Sequence, residues 1–220
     1  MIARELIADI ITPVVTSDTI QKVMDRMNEF RVSHLPIVEE NQLVGVVSDD
    51  DLIETPDFNT LLGDVNLSLN NACVNQNQHI YDVIRLFYDK RLSLVPVLDD
   101  NKNYLGVISA NALLEHFASI TAVKEPGGII VLEISNRNNS LAHIAQIVES
   151  NNAQVLSSYI NSFADSTKLE VTLKVNRTDV SAIVASFGRY DYNVIAVYSD
   201  QQADQNNSGR YDQLMNYLNI

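Results

Sequence analysis

The sequence predicts a mixed α/β (α+β) protein in which short strands and helices alternate. Two observations predict this fold. Residues 93–115 repeat the pattern of residues 33–54, so the first half is internally duplicated. The second half follows a breaker at residues 124–128 (Lys-Glu-Pro-Gly-Gly) and has the order strand, helix, strand, strand, helix, strand. The predicted units are a first repeat at 1–62, a second repeat at 63–123, a third domain at 128–199 and a C-terminal segment at 200–220.

Each repeat contains an amphipathic helix. Apolar residues stand at positions i, i+3, i+4 and i+7 in both copies, which is the spacing of one helix face. They are Ile20, Val23, Met24 and Met27 in the first copy and Ile80, Val83, Ile84 and Phe87 sixty residues later. Asp18 and Thr19 offer side-chain oxygens that can cap the first helix, and Asn77 offers one for the second.

Each helix is followed by a predicted hairpin and a second helix. The predicted strands are Leu35–Val38 and Leu43–Val47 in the first copy, and Leu94–Leu98 and Tyr104–Ile108 in the second. The second helices are predicted to begin at Asp49 and Ala110. A unit of this size cannot bury its apolar face alone, so we expect the two repeats to pack together as a pseudo-twofold pair.

The residues after each hairpin carry a further pattern. Residues 45–51 read Gly-Val-Val-Ser-Asp-Asp-Asp and residues 106–112 read Gly-Val-Ile-Ser-Ala-Asn-Ala, while Pro36 and Pro96 stand in the preceding strands. Together with the duplication, this pattern resembles a tandem pair of CBS domains, or Bateman module, over about residues 1–120. The resemblance implies a regulatory module that holds an adenosine-containing ligand.

The resemblance implies that the run after the first hairpin grips a ribose. Asp51 would accept hydrogen bonds from both ribose hydroxyls, because a carboxylate offers two oxygens with the reach of a cis-diol. Ser48 would support the sugar-phosphate. In the second copy Ala112 replaces the acid, so at most one competent adenosine site is expected. The run also has an explanation without a ligand, since Ser48 is a natural N-cap and acidic residues are stabilised in a first helical turn.

The charge around this run favours an adenosine ligand with little negative charge. Asp49–Asp51 repel phosphate oxygens, so AMP or S-adenosylmethionine is expected to fit better than ATP. Candidate counter-charges are Arg31, His34, Lys90 and Arg91. Arg31, Lys90 and Arg91 also have an explanation without a ligand, because a positive charge is favourable at the C-terminal end of a helix. His34 is likewise explained as a partly buried polar residue. The ligand-binding residues expected on the resemblance are Ser48, Asp51, Val46, His34, Arg31 and Val14.

The second half resembles an ACT domain over about residues 128–199, which implies a ferredoxin-like βαββαβ fold. The predicted elements are strands at 129–134, 153–162, 168–175 and 194–198 and helices over 141–148 and 180–187. The resemblance places a small-molecule effector at the turn after the first strand, with Asn136, Arg137, Asn139 and Leu141 as contacts. This turn lacks the glycine typical of the family, so a purely structural role in dimerisation stays open.

The C-terminal segment is predicted to be a polar linker followed by an amphipathic helix. Tyr211, Leu214, Met215 and Leu218 share one helical face, which is expected to dock on its own subunit, on a second subunit or on another protein. The combination of a CBS pair with an ACT domain resembles the bacterial acetoin-utilisation protein B type.

Composition limits the class of partner. The chain has 220 residues, with 15 Lys and Arg against 28 Asp and Glu, which gives a net charge of −13. This charge argues against binding of nucleic acid or of anionic membrane surfaces, because both need basic patches. The single cysteine, Cys73, excludes an internal disulfide, and charged residues interrupt every long apolar run. We therefore expect a cytoplasmic protein without a membrane segment.

No pattern typical of catalysis is present in the sequence. The four histidines, His34, His79, His116 and His143, form no metal-binding spacing, and neither a nucleophile elbow nor a Walker-type phosphate loop occurs. The predicted function is a non-catalytic, homodimeric ligand sensor without cofactor or metal, acting on an unidentified protein target. The alternative is an oligomerisation scaffold with vestigial ligand pockets.

Overall fold

The computed structural model describes residues 1–7, 11–53, 57–65, 72–135, 140–163 and 167–199. The chain divides into two compact units, Met1–His116 and Phe117–Ile220. Each unit is described by itself. The mixed α/β fold predicted from the sequence is confirmed in both.

The first unit contains both repeats, and each has the predicted order helix, strand, strand, helix; a leading strand precedes the helix in the second repeat. In the first repeat the elements are α1 (Ile20–Phe30), β1 (His34–Glu39), β2 (Gln42–Ser48) and α2 (Asp49–Ile53). In the second repeat they are β3 (Val74–Asn75), α3 (Ile80–Lys90), β4 (Leu94–Leu98), β5 (Tyr104–Ser109) and α4 (Ala110–Ile120), whose last residues extend beyond this unit. Short 3-10 turns occur at Ala3–Leu6 and Leu62–Asp64.

The two hairpins have matching registers. In the antiparallel pair β1–β2, His34 lies opposite Ser48, and in the pair β4–β5, Leu94 lies opposite Ser109. Each register shifts towards the end of its first strand, between Ile37 and Val38 or between Val97 and Leu98. The matching irregularity confirms that the duplication extends to backbone detail, and it places the run after each hairpin at a helix start.

One of the two predicted helix caps is wrong. Thr19 caps α1 as expected, since its side chain accepts a hydrogen bond from the Lys22 N–H. The cap of α3 is His79, whose Nδ1 accepts from the Tyr81 N–H at 3.3 Å. Asn77 lies two residues too early, and its amide group instead donates to the Asp100 carboxylate.

The two repeats exchange core residues. Val46 of β2 lies in the core of the second repeat, whereas Leu94 of β4 and Val107 of β5 lie in the core of the first; all three are fully buried. Each repeat therefore completes the other's apolar core. This arrangement accounts for the expected packing of the pair, because neither repeat encloses its core with its own residues.

The N-terminal 3-10 turn packs on the second repeat. The Ala3 N–H donates to the Gln78 carbonyl at 2.9 Å and the Arg4 N–H to the Gln76 carbonyl at 3.0 Å. Ala3 and Leu6 are buried in the second core. The sequence pattern did not predict this contact.

The second unit has the predicted βαββαβ order. Its elements are β6 (Gly128–Ser135), α5 (Leu141–Ser150), β7 (Val155–Ser162), β8 (Lys168–Val175), α6 (Ser181–Arg189) and β9 (Asn193–Tyr198). The strands form one antiparallel sheet in the order β7-β8-β6-β9, which is the ferredoxin-like topology. Ile144 and Val148 of α5 and Phe187 of α6 pack on its inner face.

Within the described residues, no helix is both long enough and apolar enough to cross a bilayer.

Because Leu94 of the second repeat lies in the core of the first repeat, we expect its truncation to destabilise that core. Leu94→Ala should lower the free energy of unfolding by about 2–5 kcal/mol, because it opens a cavity at a fully buried position. Leu105→Ala, on the neighbouring strand, is the matched control, since Leu105 is exposed. Urea unfolding of both variants measures the difference, and equal stabilities would contradict the exchange.

Candidate functional site

The run after the first hairpin forms a reciprocal helix cap. The Ser48 hydroxyl oxygen accepts from the Asp51 N–H at 3.2 Å. The Asp51 Oδ2 in turn accepts from the Ser48 N–H at 2.9 Å and from its hydroxyl at 2.7 Å. Ser48 is buried and Asp51 is half-buried. This is a capping box, which stabilises the start of α2, so a cis-diol would compete with Ser48 for the Asp51 carboxylate.

The equivalent run in the second repeat is capped from one side only. The Ser109 hydroxyl oxygen accepts from the Ala112 N–H at 3.1 Å. Ala112 has no carboxylate to return the bond, and no acidic residue lies in the first turn of α4. The start of α4 is thus electrostatically more favourable to an anion than the start of α2, which carries Asp49, Asp50 and Asp51.

A cleft of about 400 Å³ lies against the start of α4. It is lined by the C-terminal end of α1, by Ser93 at the start of β4, and by the first turns of α4. The lining residues are Ile11, Phe30, Arg31, Val32, Ser93, Ser109, Ala110, Asn111, Ala112 and Glu115. Its volume lies within the range of about 300–1,000 Å³ that is typical of small-molecule sites.

Among the ligand-binding residues predicted from the sequence, Arg31 is the one that lines this cleft. Arg31 follows α1 in the left-handed conformation (φ 54°), and its N–H closes the helix on the Met27 and Asn28 carbonyls. Its side chain is exposed and forms no ion pair within the described residues. The structure therefore brings Arg31 together with Ser93 and Ser109, residues of the second repeat.

His34 lies at the junction of the two repeats, not in the cleft. Its Nδ1 is 3.2 Å from the Ser93 nitrogen, 3.1 Å from the Ser93 Oγ and 3.0 Å from the Ser33 Oγ. The ring is 8% exposed. Burial lowers the pKa of His34 below its ordinary value of 6.5, although Asp49, Asp51 and Asp50 oppose this effect. The neutral ring therefore predominates near neutral pH.

The remaining predicted contacts, Val14 and Val46, are fully buried. The Val14 N–H donates to the Pro36 carbonyl, and its carbonyl accepts from the Val38 N–H, both at 2.9 Å. A ligand that touched either valine side chain would have to replace core packing contacts.

Most of the predicted effector turn lies outside the described residues. Asn136, Arg137 and Asn139 belong to that part of the chain, as does the predicted helix with Tyr211, Leu214, Met215 and Leu218. Leu141 is described and is 42% exposed at the start of α5. It stands in the first turn just after the Ser140 cap and does not contribute to the buried face of this helix.

The remaining titratable side chains in the described part of the chain lack the arrangement that a metal ion needs. No group of three or more His, Cys, Asp or Glu is arranged there to hold a metal ion. Burial raises the pKa of the Cys73 thiol. A raised pKa disfavours the reactive thiolate.

The chain belongs to the CBS domain family, which its sequence matches over residues 3–56 and 62–119. Two curated relatives come from Methanocaldococcus jannaschii. Inosine-5'-monophosphate dehydrogenase is 25% identical over 128 residues, or 58% of this chain and 25% of the enzyme. An uncharacterized protein is 25% identical over 113 residues, or 51% of this chain and 43% of that protein. This chain thus spans less than half the length of either relative.

Solved structures show the same fold. A CBS domain pair/ACT domain protein from Thermotoga maritima is 21% identical, with a TM-score of 0.50 over 54% of this chain and 98% of its own. CBSX2 from Arabidopsis thaliana is 20% identical, with a TM-score of 0.49 over 55% of this chain and 96% of its own. CBSX2 has also been solved in complex with AMP. The Thermotoga maritima structure shows the CBS-pair fold over about half of this chain.

The capping box predicts that Asp51 contributes to the free energy of unfolding and that the adjacent Asp50 does not. Asp51→Ala should lower the free energy of unfolding by about 0.5–2 kcal/mol, because Ser48 loses its partner. Asp50→Ala is the matched control, since Asp50 is exposed in the same turn. Thermal or urea unfolding measures both, and equal losses would show that the Ser48 contact does not stabilise the helix.

Proposed function

We propose that this protein is a non-catalytic regulator that binds an adenosine-containing ligand through its CBS pair. The observation that carries the proposal is the cleft at the start of α4, which combines two serine hydroxyls, an exposed arginine and apolar walls. Membership of the CBS domain family supports a regulatory role. A ligand would act by binding one arrangement of the two repeats better than another, since only differential affinity shifts an equilibrium.

The charges at the two repeats favour different ligand groups. The cleft places Arg31 beside a first helical turn without acidic residues, with Glu115 one turn further along. These features suit a monophosphate such as that of AMP. The first repeat presents Asp49, Asp50 and Asp51. If a ligand uses the Asp51 carboxylate for its ribose, a sulfonium ligand such as S-adenosylmethionine is better matched to these acids than a phosphate.

The β6–β9 unit supports a second regulatory input. Its ferredoxin-like topology is that of the ACT family, which would bind an effector near Asn136, Arg137, Asn139 and Leu141 or serve in dimerisation. The resemblance to the acetoin-utilisation protein B type suggests that such a regulator acts on a protein target.

AMP should stabilise the folded protein in a thermal-shift titration. A ligand at about 100 times its Kd adds about 2.7 kcal/mol to the free energy of unfolding. Arg31→Gln should weaken AMP binding by about tenfold, the value of one charge-assisted hydrogen bond to the phosphate. Adenosine, which has no phosphate, should bind both proteins equally.

Arg91→Gln is the matched control, because Arg91 is the equivalent exposed, left-handed cap of α3 (φ 51°) in the second repeat. Asp51→Ala separates the two repeats. If this variant alone loses the response to AMP, the ligand binds at the first repeat and the cleft assignment is wrong. If AMP, ADP, ATP and S-adenosylmethionine all fail to stabilise the protein, the proposed function is contradicted.

A second candidate function, an oligomerisation scaffold, is favoured by one observation. Helix α4 has no buried residue and exposes Leu114, Phe117 and Ile120 at intervals of three residues. Such an apolar stripe is typical of an interaction surface, and a homodimer would cover it symmetrically.

Leu114→Lys tests this surface, since Leu114 is 68% exposed and its replacement should leave the fold intact. Sedimentation at several protein concentrations should give a dimer for the unmodified protein and a monomer for the variant. Tyr88→Lys is the control at an exposed position on α3. A monomer at all concentrations for the unmodified protein would exclude the scaffold.

A further inference from the structure

At the junction between the two repeats, one ring nitrogen of His34 contacts both Ser33 and Ser93. The Nδ1 of His34 accepts a hydrogen bond from the Ser93 backbone N–H at 3.2 Å. The hydroxyl oxygens of Ser93 and Ser33 lie at 3.1 and 3.0 Å from the same nitrogen. A backbone N–H is only ever a donor, so this Nδ1 carries no proton and the ring proton is on Nε2.

A protonated ring cannot make the same contact. In an imidazolium both nitrogens are donors, so the Nδ1–H would face the Ser93 N–H, and two donors repel each other. The Ser93 and Ser33 hydroxyl oxygens can still accept from a protonated Nδ1–H, but neither supplies a new acceptor for the Ser93 backbone N–H at that nitrogen. Protonation of His34 therefore deprives the Ser93 N–H of its acceptor, which removes one of the hydrogen bonds between the segment at Ser33 and the segment at Ser93.

Ser93 and Ser33 are each also hydrogen-bonded to the start of the helix that follows a hairpin. Ser93 lines the cleft, and its carbonyl accepts from the Ala110 N–H at 3.1 Å, at the start of α4. The Ser33 carbonyl accepts from the Asp49 N–H at 3.0 Å, at the start of α2. The ring thus lies between the two helix starts that follow the hairpins.

The charged groups around the ring come from one element. Asp49, Asp50 and Asp51 at the start of α2 favour the protonated ring, and burial disfavours it more strongly. The segments that touch the ring directly contribute the hydroxyl and backbone groups of Ser33 and Ser93. The charged residues nearest along those segments are Arg31 and Arg91, both exposed helix caps.

We propose that His34 is an acid-sensitive latch between the two repeats: the neutral ring accepts a hydrogen bond from the Ser93 N–H at the wall of the cleft, and the protonated ring releases that N–H. The latch is closed at neutral pH and opens as the pH falls below the ordinary value for histidine. Its consequence for the ligand, a cleft whose wall changes with pH, rests on the function proposed above. The latch itself does not depend on that function.

Amide hydrogen exchange tests the latch in the full chain without any ligand. NMR titration of the ring nitrogens first gives the tautomer and the protonation midpoint of His34. The neutral form should carry its proton on Nε2, and the midpoint should lie below about 6.5. Exchange of the Ser93 amide, corrected for the intrinsic effect of pH, is then compared about one pH unit above and below that midpoint. Protection at Ser93 should fall by about tenfold or more at the lower pH, while the Val171 amide in the second unit should stay protected.

Two variants distinguish a latch from a merely structural contact. His34→Asn keeps an acceptor in place of Nδ1 but cannot be protonated, so the Ser93 amide should be protected at both pH values. His34→Leu carries the residue type found at the equivalent position, Leu94, and has no acceptor, so its Ser93 amide should exchange rapidly at both. His116→Gln removes a different histidine and should leave the pH dependence unchanged.

Three results would overturn the latch: Ser93 protection that is equal above and below the midpoint, a loss at low pH that persists in His34→Asn, or a neutral ring protonated on Nδ1. None of them bears on the ligand. A protein that keeps the latch and ignores every adenosyl compound would contradict the proposed function alone.

Discussion

The exchange of core residues between the two repeats is the constraint on which the rest of the first unit depends. Val46 fills the second core, and Leu94 and Val107 fill the first. Val46 and Val107 lie on strands that end directly before a helix start, and Leu94 is the first residue of the strand that follows Ser93. The burial that stabilises the unit therefore also fixes where the two helix starts lie relative to each other.

The two repeats match in backbone but differ in the side chains that follow their hairpins. The hairpins, their register shifts and the left-handed helix caps at Arg31 and Arg91 recur in both copies. The side chains after the hairpins do not, since Asp51 closes a reciprocal cap and Ala112 leaves its helix start without an acid. Because α1 ends against the start of α4, Arg31 contributes its charge to the second repeat's cleft. A shared scaffold thus carries two helix starts of opposite electrostatic character.

The sequence predicted the elements well because their signals are local. The apolar spacing of Ile20 and Ile80 and the alternation in Lys168–Val175 identify a helix face or a strand face without reference to the rest of the chain. Contact partners are not local. A sequence pattern shows that Val46 is buried but not in which core. It also assigns Arg31 and His34 to the same ligand site because they are neighbours in sequence, whereas the chain turns between them and only Arg31 lines the cleft. His79 was missed as a cap because histidine is uncommon there, and Asn77 matched the usual preference.

The central claim is that the two repeats form one cooperative unit, and native-state hydrogen exchange under increasing urea tests it most directly. The probes are the amides of Val23 in α1 and Val83 in α3, which lie in different cores. Since each core contains residues of the other repeat, both amides should converge on the same opening free energy and the same dependence on urea. If Val23 exchanged through a separate opening of lower free energy while Val83 stayed protected, the repeats would be independent and the account would be contradicted.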